Sequence, residues 1–190
     1  MVRPEVGKLI DITHVGLGGQ IDPLDWALPY LDDEHVAYVS ERLFAADALL
    51  LRRRTYEGLS AAYPAMQSNA FVDRMNSILK FVASRSLLSA DWNATVINGD
   101  VVRFVADLKD QHGLNLVKYG NGPLDFTLMD HGLIDEIHIL LTPVAAGRGR
   151  HLFEWLESSA QLHLAAVKPF QSGVLLLVYE PHREVPRGLG

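Results

Sequence analysis

Three short segments carry groups that bind anions, and each follows an apolar run. Arg52-Arg53-Arg54-Thr55 comes directly after Asp47–Leu51, which reads Asp-Ala-Leu-Leu-Leu. In open α/β sheets ligands bind beyond the carboxyl ends of strands, and guanidinium forks match phosphate geometry. On this segment alone, a solvated turn with three exposed arginines explains the pattern equally well. Gly120-Asn121-Gly122-Pro123 follows Leu114–Tyr119 and offers glycine-flanked amides at the start of a helix, a ready place for a phosphate. Taken singly, a tight strand-to-helix turn that needs small residues accounts for it better. Ser84-Arg85, just past the apolar run Leu79–Ala83, adds a hydroxyl and a guanidinium in the same kind of position. Two anion sites imply a dinucleotide, and three strand ends then carry phosphate-compatible groups.

Other chemistries find less support. Gly16-Leu17-Gly18-Gly19 follows a strand, but the dinucleotide fingerprint needs a glycine where Ile21 stands and a helix where Pro23 stands. No G-x-x-x-x-G-K-[ST] loop and no G-x-S-x-G elbow occurs, and the eight histidines lack the i, i+4 spacing of a metal site, so no metal is expected. The absence of cysteine removes disulfides and thiolate chemistry and suits a reducing cytoplasm. A formal charge of −6 lacks the basic field that sequence-independent nucleic-acid binding requires. No run approaches the roughly 18–20 apolar residues of a membrane span, so neither a membrane nor a nucleic acid is an expected partner.

The elements that must position these residues alternate along a chain of 190 residues, long enough for one domain and 48% hydrophobic. Strand and helix patterns in alternation point to crossover connections and a largely parallel sheet, hence an α/β class. Strands are predicted at Lys8–Val15, Asp47–Leu51, Leu79–Ala83, Thr95–Ile97, Leu114–Tyr119, Ile134–Leu141, Leu162–Lys168 and Val174–Tyr179. The last two, joined by Phe170-Gln171-Ser172-Gly173, form an antiparallel hairpin. Helices are predicted at Asp33–Ala46 with Asp32 or Asp33 as N-cap, Asn69–Ser77, the Val101–Leu108 segment ended by Gly113, and from Gly122-Pro123 to His131. Gly16–Asp32 reads as a long irregular loop, and residues 1–180 as one domain with a loose tail from Pro181 to Gly190.

Six segments in order resemble the dihydrofolate-reductase-like family: Lys8-Leu9-Ile10, Ala48–Glu57, Lys80–Arg85, Tyr119–Leu124, Gly132–Glu136 and Pro143–Phe153. The branch most similar is the reductase domain of the bifunctional deaminase–reductase of riboflavin biosynthesis, and the likeness covers Lys8 to about Glu180. It implies a three-layer αβα sandwich, NADPH across the strand ends and hydride delivery to a ring or imine carbon. By the same resemblance Arg53 faces the 2′-phosphate, Thr55 meets the pyrophosphate, Ser84 and Arg85 make a second adenosine-phosphate contact, and Gly120-Asn121-Gly122 lets the backbone approach the cofactor. Gly16-Leu17-Gly18-Gly19 stands where the branch reads Ser-Leu-Asp-Gly, and Arg52 where it has glycine.

The resemblance also directs attention to the start of the first helix, where folate reductases place a carboxylate beside the substrate. Asp33 is the candidate proton relay there, although acids at a helix start also serve as caps. His14 titrates in the useful range and could face the nicotinamide, against a core role. Trp26 and Tyr30 could stack on a flat substrate, or simply pack in the core. The expected activity is NADPH-dependent reduction of a small nitrogen heterocycle, pterin-like or a ribosylated pyrimidine. The rival is a nucleotide-binding sensor of the same fold that no longer reduces anything. The apolar C-terminal strands suggest a homodimer.

Overall fold

The computed structural model describes residues 6–110, 113–156 and 159–182. Five parallel strands run from one edge of the sheet to its middle: β1 (Leu9–Gly16), β3 (Ala48–Arg52), β4 (Leu79–Ala83), β5 (Ala94–Ile97) and β6 (Leu116–Tyr119). β7 (Glu136–Thr142) joins β1 in parallel, and β10 (Leu175–Pro181) then pairs antiparallel with both β7 and β9 (Leu162–Pro169). The order across the eight-stranded sheet is β5-β4-β3-β6-β1-β7-β10-β9. Two short strands, β2 (Gln20–Asp22) and β8 (Arg150–His151), pair separately beside it.

β3 shows why the centre is parallel and doubly covered. Ala48, Leu49, Leu50 and Leu51 are all fully buried, as a strand sandwiched between two helical layers requires. Ala48 and Leu50 pack into one core with Val105 and Leu108 of α4 (Val101–Asp110) and Leu128 of α5 (Pro123–Asp130). Leu49 and Leu51 pack into the other, with Leu43 of α1 (Asp33–Ala45), Tyr56 of α2 (Arg53–Ala62) and Met75 of α3 (Ala70–Ser77). The period of two along the strand thus divides the layers.

Caps fix the helix starts that the sequence marks. Asp32 accepts the His35 amide at 2.8 Å and Asn69 the Val72 amide at 3.0 Å. Gly132 and Gly173 adopt positive φ at the end of α5 and in the β9–β10 turn.

Three expectations change. The Gly16–Asp32 loop contains β2 and a 3-10 helix over Asp25–Tyr30, elements too short to leave a periodic signal. Arg53-Arg54-Thr55 is the first turn of α2, an element without a predicted counterpart, with Arg53 and Arg54 exposed and Arg52 half-buried. Pro181 closes β10 rather than opening a tail; the rest of that expected tail, beyond His182, lies outside the described residues. No helix among the described residues is long and apolar enough to cross a membrane.

Candidate active site

A cleft of about 750 Å³ opens at the carboxyl ends of β1, β3 and β6. Ile12, Thr13 and His14 come to it from β1, Arg52 from β3, Arg54 and Thr55 from α2, and Tyr119, Gly120 and Asn121 from the end of β6. α2 starts directly behind β3, so Arg52 and Thr55 are aimed at the β6 turn by the sheet itself. Arg52 donates through Nη1 to the carbonyl of Asn121. At Gly120, with φ +82°, an added Cβ would overlap Thr55 Oγ1, and at Gly122 it would overlap the Arg52 guanidinium. These two glycines therefore let the turn close against Arg52 and Thr55.

A buried charge cluster holds the same turn from behind. Lys118 on β6, wholly buried, lies 3.1 Å from Asp11 Oδ1 on β1 and pairs with Asp125 on α5. Its Nζ also donates to the carbonyl of Gly120 at 2.6 Å, while Asp125 Oδ2 accepts the Gly122 amide at 2.6 Å. Burial pushes the Asp11 carboxyl up to about 7, against the pull of Lys118. The flanking carboxylates hold the Lys118 ammonium above its usual range despite its burial.

Across the cleft mouth, Asp22 of β2 accepts from Arg150 of β8 at 2.6 and 3.0 Å, and Arg54 Nη1 approaches the same oxygen at 3.5 Å. Deeper in, the His14 and His35 rings lie 4.9 Å apart. Burial, and then His35, hold the His14 imidazole down to about 4, and burial likewise lowers His35 against the pull of Asp32. The fold thus favours the neutral ring, whereas the unfolded chain takes up protons below about pH 6.5. Stability at His14 is full above that pH and declines toward pH 4, by at most about 3 kcal/mol for a fully buried ring and less for this half-buried one. Urea midpoints at pH 7 and 4.5 should converge in His14→Gln relative to the parent; an unchanged gap would contradict the assignment.

A model of the RibD C-terminal domain matches residues 32–176, most of the chain. The chain belongs to the RibD C-terminal domain family. Its relatives include the uncharacterized proteins YyaP and YwjB of Bacillus subtilis (strain 168). The first is 32% identical over 55% of this chain and 56% of its own length; the second is 30% identical over 89% and 95%. The chain thus spans little more than half of YyaP. A protein from Shewanella sp. PV-4 ascribed to riboflavin biosynthesis superposes with a TM-score of 0.71 at 22% identity, covering 93% of this chain and 99% of the other. Dihydrofolate reductase from Enterococcus faecalis, solved in complex with NADP(H), gives 0.64 at 16% identity, covering 93% and 98%. The fold of this RibD C-terminal domain is therefore dihydrofolate-reductase-like, as the six segments imply.

Within this RibD C-terminal domain the expected site residues fall into two sets. Thr55, Gly120, Asn121 and His14 line the cleft. Arg53 lies outside it, half-exposed, with Nε 2.6 Å from Glu57 and Nη1 2.8 Å from Ser86 Oγ. Ser84 is part of the same outer loop, its Oγ accepting the Leu87 amide at 3.0 Å, and Arg85 beside it is exposed. None of these three lines the cleft; Arg53, at the first turn of α2, reaches the loop after β4 through Ser86. Asp33 is solvent-exposed and does not line the cleft; α1 presents His35 there instead, because Asp32 and Glu34 accept backbone amides of the β9–β10 turn. Trp26 and Tyr30 also lie off the cleft: Trp26 stands behind Gly16, and Tyr30 packs on the core beneath α1.

Arg150, Asp22, His35 and the Asp11–Lys118–Asp125 cluster escape the sequence reading. The last carried a usable signal, an acid and a lysine each isolated within an apolar strand and in register as Asp11↔Lys118.

Proposed function

We propose that the protein is an NADPH-dependent reductase of a small nitrogen heterocycle. The observation that carries this reading is one continuous cleft, at the carboxyl edge of the sheet, that joins guanidinium groups to an apolar chamber bearing two neutral imidazoles. The residues present fit the cofactor. Arg54 and Arg150 share one carboxylate, Asp22, so the cleft mouth keeps a surplus positive charge for an anion. Thr55, Arg52 and the Gly120–Gly122 turn would hold the pyrophosphate, and Arg53, Ser84 and Arg85 the 2′-phosphate. NADPH, when bound, supplies the hydride.

The chain's own residues supply charge, orientation and exclusion of water. Asp22 is the carboxylate found among the described cleft residues, and it is engaged by two arginines. His14 and His35, neutral at pH 7, are the groups placed to hold or pass a proton beside the substrate. A second reading, a nucleotide sensor without catalysis, draws on Arg52, whose guanidinium packs against the Gly122 Cα where a cofactor and the backbone would meet.

NADPH at 100 times its dissociation constant should add about 2.7 kcal/mol of stability, which raises the melting temperature by roughly 5–11 °C for a chain of this size. No shift with NADPH or NADH would sink both readings. Arg53→Ala should keep the melting temperature of the free protein and lose the preference for NADPH over NADH; a retained preference removes the 2′-phosphate contact. NADPH consumption with pterins, flavins and pyrimidines separates enzyme from sensor.

A further inference from the structure

The cleft has two chemically different halves, and α2 measures the distance between them. Arg54 and Thr55 face it from the first turn, Leu59 from the second and Tyr63 from the C-terminal end. At 1.5 Å per residue, Leu59 stands about 8 Å and Tyr63 about 13 Å along the axis from Arg54. The near half holds Arg52, Arg54 and Arg150. The far half is walled by Leu31, Val36, Val39, Leu59, Phe71 and Met75, with no lysine or arginine among the described residues that line it. Its polar side chains include His14, His35, Tyr63, Asn69 and Tyr119, all uncharged at pH 7.

Resting on the reductase reading above, we propose that the far half takes a neutral, phosphate-free heterocycle, and that ribosyl-phosphate substrates are excluded. Two observations carry this. Leu31 and Val36 are 40% and 48% exposed inside a cleft, so a flat apolar face laid on them removes water from surface the fold leaves bare. A phosphomonoester brings about −1.5 to −2 charges at pH 7, and here it would meet only neutral partners. Taking such a charge out of water without a counter-charge is unfavourable. Both imidazoles are held uncharged at that pH, so they cannot stand in for a cation. His35 is almost wholly buried and its Nδ1 lacks a hydrogen-bond partner, so the fold leaves this ring's polarity unused. The near-half arginines are the ones the cofactor's own phosphates would engage.

The test uses the full chain saturated with NADPH and matched ligand pairs: riboflavin against its 5′-phosphate, an aminopyrimidine ribonucleoside against its 5′-phosphate, and a neutral pterin alone. Melting shifts and NADPH consumption are read on each. The phosphate-free member should bind at least 10-fold more tightly than its partner. Equal or tighter binding of a 5′-phosphate overturns the proposal, and so does failure of every phosphate-free ligand to shift the NADPH-bound protein. Val36→Lys, at an exposed position that folding does not depend on, puts an ammonium in the far half and should bring the phosphorylated member within about threefold of its partner. The shift with NADPH alone, taken in parallel, reports separately on the reductase reading.

Discussion

Lys118→Met should lower stability by about 3–5 kcal/mol, because it leaves the Asp11 and Asp125 carboxylates buried together without their cation. At roughly 2–4 °C per kcal/mol the melting temperature falls by roughly 6–20 °C. The loss should depend on pH. Asp11 already sits near 7 because burial disfavours its charged form, and without Lys118 its carboxyl moves further up. A carboxyl raised in the folded state contributes stability when protonated and loses it as pH climbs through the raised value. The penalty measured by urea unfolding is therefore expected to be smaller at pH 5.5 than at pH 8. A loss under about 1 kcal/mol, or one independent of pH, would show that the cluster is not the strut described. Since Lys118 and Asp125 also grip Gly120 and Gly122, the variant should weaken NADPH binding even where it stays folded.

Gly120→Ala and Gly122→Ala should differ in size although they sit two residues apart. At 120 the backbone is left-handed, φ +82°, and an added methyl meets Thr55 at Oγ1, with Cβ and Cγ2 at 3.1 and 3.2 Å. A short β-branched side chain on a helix cannot retreat, so the backbone penalty and the clash together cost about 2–4 kcal/mol. At 122 the backbone is extended and the obstacle is the far end of Arg52, which can swing aside. That variant should lose under about 1 kcal/mol and release Arg52 from the Asn121 carbonyl. Thermal melts of both variants, with and without NADPH, check the contrast; equal losses would mean the turn is not gripped as described. A larger NADPH shift in Gly122→Ala than in the parent would show that Arg52 obstructs the site.

Most of the layering was legible because the residues that make it act locally. Asp32 and Asn69 cap helices three residues ahead, and the Leu-rich β3 can only be a doubly covered strand. α2 was not, since Tyr56 is its one buried residue and a polar Arg-Arg-Thr opening hides the helical period. The cofactor-compatible groups on strand ends were visible as types at positions, and Thr55, Gly120 and Asn121 do meet in the cleft. What could not be read was rotation about α1: Asp33 and His35 are two residues apart, and only the packing of Asp32 and Glu34 on the β9–β10 turn decides which of them faces inward. Arg150 was likewise out of reach, because its partner Asp22 is 128 residues away.

The Asp22–Arg150 pair ties the segment behind β1 to the segment behind β7. That partly exposed carboxylate adds a charged contact to the backbone pairing of β2 with β8 that already joins the two segments. Added salt screens such a contact, so the residence time of whatever occupies the cleft should shorten as ionic strength rises, even for a guest that carries no charge.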